Sequence, residues 1–384
     1  MIPLGVLALA VVGSVLPQDR EPAAPEAEEA QEVDVRRVLG DAVQWLVENQ
    51  QSNGSWGTHH TARPIEVLAS VPGSQQAFRV GTTGLVVAAL QECPLAGDDG
   101  LQAAERGIDF LLEAYNVKRQ SGLEHYNVWS FGYALQCFGE RLLWYPEDPR
   151  ADKIRAACNH LIEKLDTYQT TDGGWGYLSI DEVPTFKPSE TSMSFTTSTI
   201  LVGLDRVKRA GIEVPDGLLA KALDHVKRSR LPDGAFLYGE YLKYRPRHGI
   251  NQRKGSACRN PLCHYALDLH GEEPPAEDSF IESLRDLLVR HAGFQRVALR
   301  RPIPHESWYA ISGYFYLYGH AYAAYVLETL PATEQAQLWP ALVDAVMVCH
   351  QPDGSFWDYP LYSYHKPYGT GFAVIALTRA LGAE

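Results

Sequence analysis

Apolar residues recur at spacings of three and four through Val35, Val38, Leu39, Ala42 and Leu46, and again through Ile154, Ala157, Cys158, Leu161 and Leu165. A third stripe runs through Leu338, Ala341, Leu342, Ala345 and Cys349. Such stripes predict helices with one buried face. Alternating with them are segments apolar nearly all round: Thr83 to Leu90, Phe195 to Leu204, Tyr314 to Leu330 and Tyr368 to Leu381. These predict helices enclosed on every side.

A polar turn with glycine and an aromatic ring stands between the two kinds of segment. It reads Gln-Thr-Thr-Asp-Gly-Gly-Trp-Gly-Tyr over Gln169 to Tyr177, with variants at Gln50 to Gly57, Leu231 to Phe236 and Gln351 to Trp357. From Gly54 to Gly173 is 119 residues, from Gly173 to Gly234 is 61, and from Gly234 to Gly354 is 120. The unit is therefore about 60 residues long, and a fixed long period means stacked supersecondary units. Gly122 and Gly293 fall near the vacant positions and complete six units. An outer one-faced helix followed by an inner enclosed helix, six times over, closes most simply into a double ring. The expected fold is an all-α α/α toroid of about twelve helices. Asp-Gly and Asn-Gly suit a left-handed residue ending each outer helix, since glycine has no Cβ to clash there. The following aromatic is expected to plug the gap between units.

In these turns, together with the Thr-Thr-rich inner segment Ser194 to Ser198 and Gly369 to Ala373, the chain resembles the superfamily of squalene cyclases, terpenoid cyclases and protein prenyltransferase β subunits. The resemblance covers roughly residues 34 to 382 and implies the toroid fold. Its activities do not carry over. The Asp-x-Asp-Asp acid motif expected of a proton-initiated cyclase is missing, as is the Asp-x-Cys pair that holds prenyltransferase zinc. The thioester branch would need Cys-Gly-Glu-Gln, and Cys137-Phe-Gly-Glu140 is not that motif.

Composition sets further bounds. With 384 residues, 45% of them hydrophobic, the chain can bury a large core, and a net charge of -13 argues against a nucleic-acid partner or an anionic membrane surface. No hydrophobic run is long enough to span a bilayer. Residues 1–17, apolar from Leu4 to Leu16, read as an export signal, so a periplasmic or extracellular location is expected, the alternative being cytoplasmic. Residues 18–33, rich in Ala, Pro and Glu, read as a disordered linker, and 34–384 as the toroid domain. Of the six cysteines, Cys258 and Cys263 are the pair open to a disulfide, whereas the others sit in helical segments as small apolar side chains.

Loops from outer to inner helices are mostly long and emerge on one face. Insertions confined to one face of a repeat protein mark its binding face. The basic run Lys243 to Arg259 lies there, with Arg253 and Arg259, and suits an anionic head group. Inner-helix rings Tyr126, Trp129, Trp308, Tyr309 and Tyr316 suit an apolar or cationic ligand, although rings at helical spacing also build cores. His365 joins these as a ligand-binding candidate. The reading is a ring-mouth site for an apolar or isoprenoid-like ligand with an anionic head.

Whether the protein is an enzyme stays open. The alternative reading is a glycan-active lyase or hydrolase, or a divergent transferase. It would draw on the loop-face carboxylates Glu66, Glu124, Asp181, Glu190, Glu240, Glu306 and Asp358, with His125 or His305 as acid or base. His125, Glu190, His305 and Glu306 are the catalytic candidates. No cofactor is expected. Were zinc to bind, Cys258, Cys263 and His264 offer the ligand types, but adjacent Cys263 and His264 rarely ligate one ion. His160, His225, His291 and His350 fall on outer helices and are expected to be solvated. The partner is thus a small molecule or a glycan; oligomeric state is not legible.

Overall fold

The stripes form helices along their predicted faces. In a computed structural model, residues 34–57, 72–118, 126–177, 192–272, 277–291, 293–295, 305–306, 308–360 and 365–383 are described. The outer helices are α1 (Val35–Glu48), α3 (Gly97–Ala114), α5 (Ala151–Tyr168), α7 (Asp216–Ser229), α10 (Glu277–Arg285) and α12 (Ala332–Met347). The inner ones are α2 (Pro72–Glu92), α4 (Asn127–Trp144), α6 (Ser194–Arg209), the pair α8 (Arg253–Ser256) and α9 (Asn260–Leu269), α11 (Tyr316–Leu327) and α13 (His365–Ala383). On α1 the buried residues are Val35, Val38, Leu39, Ala42, Val43 and Leu46, the expected stripe plus one. Each buried aliphatic side chain contributes about 1.5–3 kcal/mol. Every residue of α11 is buried, as an inner helix requires. Each inner helix packs on the next, and α13 packs on α2, so the inner ring closes. The α/α toroid is the fold.

The glycine turns are alike in detail. In each, the backbone N–H three residues before the glycine bonds across the turn: Gln51 to Ser55, Thr170 to Gly174, Leu231 to Ala235 and Gln351 to Ser355, at 2.8–2.9 Å. The next aromatic is fully buried as Trp56, Trp175, Phe236 or Phe356. Its N–H donates to a side chain of its own inner helix, Thr83, Thr197, Asn260 or Thr370, at 3.0–3.1 Å. Gln50 and Gln169 each bridge the turn to the next outer helix, through Ala103 O and Leu218 O. The turn thus clamps three helices at once.

One expectation is corrected. The glycine does not end the outer helix: α5 stops at Tyr168, and Gly173, at φ +91°, sits in a separate turn that reverses the chain toward the axis. The left-handed backbone is needed by that turn, not by a helix cap. At Gly354, φ +85°, an added Cβ would stand 3.1 Å from Asp41 O on α1. Gly354→Ala is expected to cost about 1–2 kcal/mol, the left-handed penalty for a side chain, read as a lower urea midpoint at unchanged slope. In the fifth unit Gly293 lacks the positive φ, and the buried Phe294 stands where the other units place their ring. Gly122 lies outside the described residues.

The two ends of the ring differ. At the short-loop end every inner helix contributes polar groups to a belt. Arg206 pairs with Glu140 at 3.3 Å and with Asp205 at 2.6 Å and donates to the Tyr265 hydroxyl; Tyr265 stacks on Tyr325 at 4.8 Å. Tyr325 donates to Glu92 at 3.3 Å, and Arg379 pairs with Glu92. Burial pushes the Glu92 carboxyl up to about 7 despite Arg379. Above the belt the axis is filled by packed rings: Tyr133, Tyr318 and Tyr322 lie 5.7–6.2 Å from Phe372, and Tyr318 lies 5.2 Å from Tyr322. The toroid is therefore a cup whose axis is packed toward its short-loop end; beside the belt lie further cavities of about 350 Å³, lined by Glu92, Glu328 and Arg379, and about 280 Å³, lined by Tyr265, Glu272 and Leu330.

Candidate functional site

The long-loop end carries a collar of rings drawn from several units. Phe78 of α2 lies 4.6 Å from Tyr126, and Tyr126 lies 5.0 Å from Tyr177. Tyr177 lies 6.0 Å from Phe195, which lies 5.5 Å from Tyr238 and 5.2 Å from Phe315. Tyr359, fully buried, packs with Phe78, Tyr126 and Tyr314. A cavity of about 100 Å³ opens into this collar, walled by Tyr177, Phe195, Tyr238, Cys258, Arg259 and Tyr314. Among the described residues, two that are not glycine adopt left-handed backbone, Tyr126 at φ +73° and Ala310 at φ +56°. Tyr126 is a collar ring and Ala310 lines the cavity, so both strained positions border the mouth. Strain of this kind clusters where surrounding structure fixes a functional geometry.

Among the described residues, Arg259 is the single charge in the cavity wall, and it is 5% exposed. Its donors go to backbone carbonyls: Nε to Phe236 O at 3.0 Å, Nη1 to Gly255 O at 2.9 Å, Nη2 to Phe236 O at 2.7 Å and to Ile250 O. A guanidinium has five N–H donors, so one on Nη1 is left over among the described residues. No carboxylate there pairs with Arg259, and burial pulls its guanidinium down to about 10, leaving it charged at neutral pH. A buried cation without a counter-ion is costly unless hydrogen bonds hold it.

The remaining sequence candidates scatter. Trp129 is buried just below the collar, 5.7 Å from Phe78. Arg253 turns away and pairs with Asp286 at 2.6 Å, because the turn extending α10 presents acids to it. Trp308 is 70% exposed beneath the Lys254 ammonium, 3.7 Å from its ring centroid. Tyr309 packs on His291 and Phe294, behind the cavity. Tyr316 faces the outer ring, its hydroxyl donating to Ala345 O at 2.9 Å. His125 and Glu190 lie outside the described residues, as do the side chains of His305, Glu306 and His365. The backbones of His305 and Glu306 form β1, which pairs with β2 (Ile311–Ser312).

The acids and metal candidates also rearrange. Glu240 is held by Arg228, at 2.9 Å from Nη2. Asp358 is fully buried and accepts the Leu317 N–H at 3.2 Å, capping α11. Cys258, Cys263 and His264 do not converge. Cys258 lines the cavity, Cys263 is fully buried beside Ser194 and Ser198 of α6, and His264 lies between Phe236 and Phe280 at 4.9 and 4.5 Å. Consecutive residues on a helix point about a quarter-turn apart, which separates Cys263 from His264. All six cysteines are free and buried, so Cys258 and Cys263 form no disulfide.

The outer-helix histidines were expected in solvent, yet His225 is fully buried and His291 is 3% exposed, because the turn of the preceding unit covers His225. His225 stands with Asp172 and Glu240, their ligating atoms all within 4.8 Å of one another. The signal for it lay in the sequence as the second glycine of Asp172-Gly173-Gly174, where the other three turns carry Ser55, Ala235 and Ser355.

No family model and no curated protein matches the chain. Solved structures match in fold. The type II terpene cyclase MstE from Scytonema is 14% identical, with TM-score 0.53, over 91% of this chain and 98% of that one. The GH76A α-1,6-mannanase from Salegentibacter sp. HEL1_6 is 10% identical, with TM-score 0.56, over 91% and 100%. A possible GH105 member from Klebsiella pneumoniae subsp. pneumoniae MGH 78578 is 12% identical, with TM-score 0.53, over 96% and 97%. Among the described residues, no helix is long and apolar enough to cross a membrane.

Proposed function

We propose that the cup binds an apolar, isoprenoid-like molecule through its anionic head. The observation that carries this reading is Arg259, a buried cation without a described counter-ion in an aromatic wall. An anionic head seated there would use the spare N–H and neutralise the charge. A cavity of about 100 Å³ takes a head group rather than a whole chain, so the hydrocarbon runs across the collar rings Phe78, Tyr126 and Tyr177. The cyclase of like fold has been captured with geranylgeranyl dihydroxybenzoate, an isoprenoid chain on an acidic head.

The test compares farnesyl diphosphate, farnesol and inorganic pyrophosphate by calorimetry. Farnesyl diphosphate should bind more tightly than either fragment. Arg259→Gln should weaken it by about 10–100-fold, the value of a charged hydrogen bond, and leave farnesol unchanged. Ile311→Trp, which fills the cavity from its wall, should weaken farnesyl diphosphate as well. Equal affinity for diphosphate and alcohol, or an unaltered affinity in both variants, would remove the proposal.

A further inference from the structure

The third turn departs from the other three at positions that meet at one point. Gly174 replaces the Ser55, Ala235 and Ser355 of its counterparts. A Cβ there would lie 2.7 Å from His225 Cδ2, 2.7 Å from Ser192 Cβ and 2.6 Å from Thr197 Oγ1. The space is thus given up to an imidazole that reaches in from α7. Around that ring stand Asp172 of the turn itself, Ser192 just before α6, and Glu240 beyond the fourth turn. His225 Nδ1 lies 3.5 Å from Glu240 Oε2. Ser192 Oγ lies 2.6 Å from Asp172 Oδ2 and 3.3–3.4 Å from the imidazole nitrogens.

A tetrahedral zinc ion with bonds of about 2.0 Å holds its ligand atoms about 3.3 Å apart. The His225 to Glu240 and His225 to Ser192 spacings already approach that edge. Nitrogen and carboxylate ligands in this number suit zinc or another divalent first-row ion, not calcium, which takes six to eight oxygens. We propose that Asp172, His225 and Glu240 form a binding site for a divalent transition ion of the zinc class, with Ser192 or water as fourth ligand. The site lies outside the cavity lining and is independent of the ligand proposed for the cup.

Binding requires one exchange. Arg228 now donates to both oxygens of Glu240, at 2.9–3.2 Å, and to Asp172 O. The ion takes Glu240 Oε2, and Arg228, whose side chain is 39% exposed, keeps Asp224 and the Asp172 carbonyl. The bound ion ties the third turn to α7 and to the segment just after Tyr238, which walls the cavity.

The test uses the full chain, stripped with chelator and titrated with zinc chloride by calorimetry, with metal analysis of the dialysed product. One ion per chain is expected. Glu240→Gln, on a part-exposed turn, should weaken uptake by at least tenfold, and His225→Gln by about a hundredfold. Arg228→Met should tighten it by removing the competing cation, an outcome that a purely structural ion-pair cluster would not produce. Cobalt substitution should give the strong visible absorption of a tetrahedral site. Absence of stoichiometric zinc in the wild type sinks the proposal, and so does uptake unaltered by Glu240→Gln, which decides the matter if His225→Gln does not fold.

Discussion

Asp358→Asn is expected to remove a decline in stability on the order of 4 kcal/mol that the wild type undergoes as pH rises from about 4 to about 7. Asp358 is fully buried, no cation faces it, and its Oδ1 has no partner among the described residues. Burial pushes its carboxyl from 3.8 up to about 7. Between those values the folded state keeps a proton that the unfolded state has released, so each rise in pH favours unfolding. The stabilising contribution is whole below the unfolded value and gone above the folded one. Asparagine keeps an oxygen for the Leu317 N–H but leaves its amide group unpaired, a cost of about 1–3 kcal/mol. The net gain above pH 8 should therefore be smaller than the lost slope, about 1–3 kcal/mol. Urea unfolding of both proteins at pH 5 and pH 8 checks this, and parallel pH profiles would falsify the assignment. The effect reaches the mouth, because Asp358 caps the helix that follows Tyr314 and Phe315.

The same residue shows how far sequence patterns reach. Helix faces were legible because burial follows a period of 3.6 residues, so the stripe Val35 to Leu46 lies where it was expected. The glycine turns were legible as a period and as buried rings, since glycine and aromatics have few other uses at such spacing. What they clamp was not, because Gln50 and Gln169 bond to carbonyls about fifty residues on. Side-chain direction at the mouth was equally hidden. Arg253 and Arg259 belong to one basic run, yet one pairs with α10 and the other is buried in the cavity wall. Their difference depends on which acids a neighbouring helix presents, and a run of charge carries no such information. His225 was assigned to solvent because an outer helix has a polar face, but the turn of the preceding unit covers that face. Only the second glycine beside Asp172 marks the spot, and its meaning needs the third dimension.

Arg206→Met is the other substitution with a large expected effect, about 3–5 kcal/mol of lost stability, the cost of breaking a buried ion pair from one side. Arg206 lies between Glu140 and Asp205, and its side chain is 8% exposed; Arg209, which is 60% exposed, reaches Asp205 only at 3.8 Å. Removing it takes from Glu140, already pushed up by burial, its hydrogen-bonded cation and leaves Asp205 with the exposed Arg209 alone. Glu140→Leu should cost distinctly less, because Asp205 still neutralises Arg206 and leucine fills the space. The double variant should recover part of the Arg206→Met loss, giving a coupling of about 0.5–3 kcal/mol in a cycle of urea unfolding. With the arginine gone, the Glu140 carboxyl is raised further. The stability of Arg206→Met then falls as pH rises, and its deficit against the wild type should be smaller at pH 5 than at pH 8. A deficit that is the same at both, or equal costs for the two single variants, would show that the belt does not act through charge. Since the belt lies at the short-loop end and Arg259 at the other, Arg206→Met that remains folded should bind farnesyl diphosphate as the wild type does. Affinity that falls with belt stability would mean instead that the two ends of the cup are coupled through the packed axis of Tyr133, Tyr318 and Tyr322.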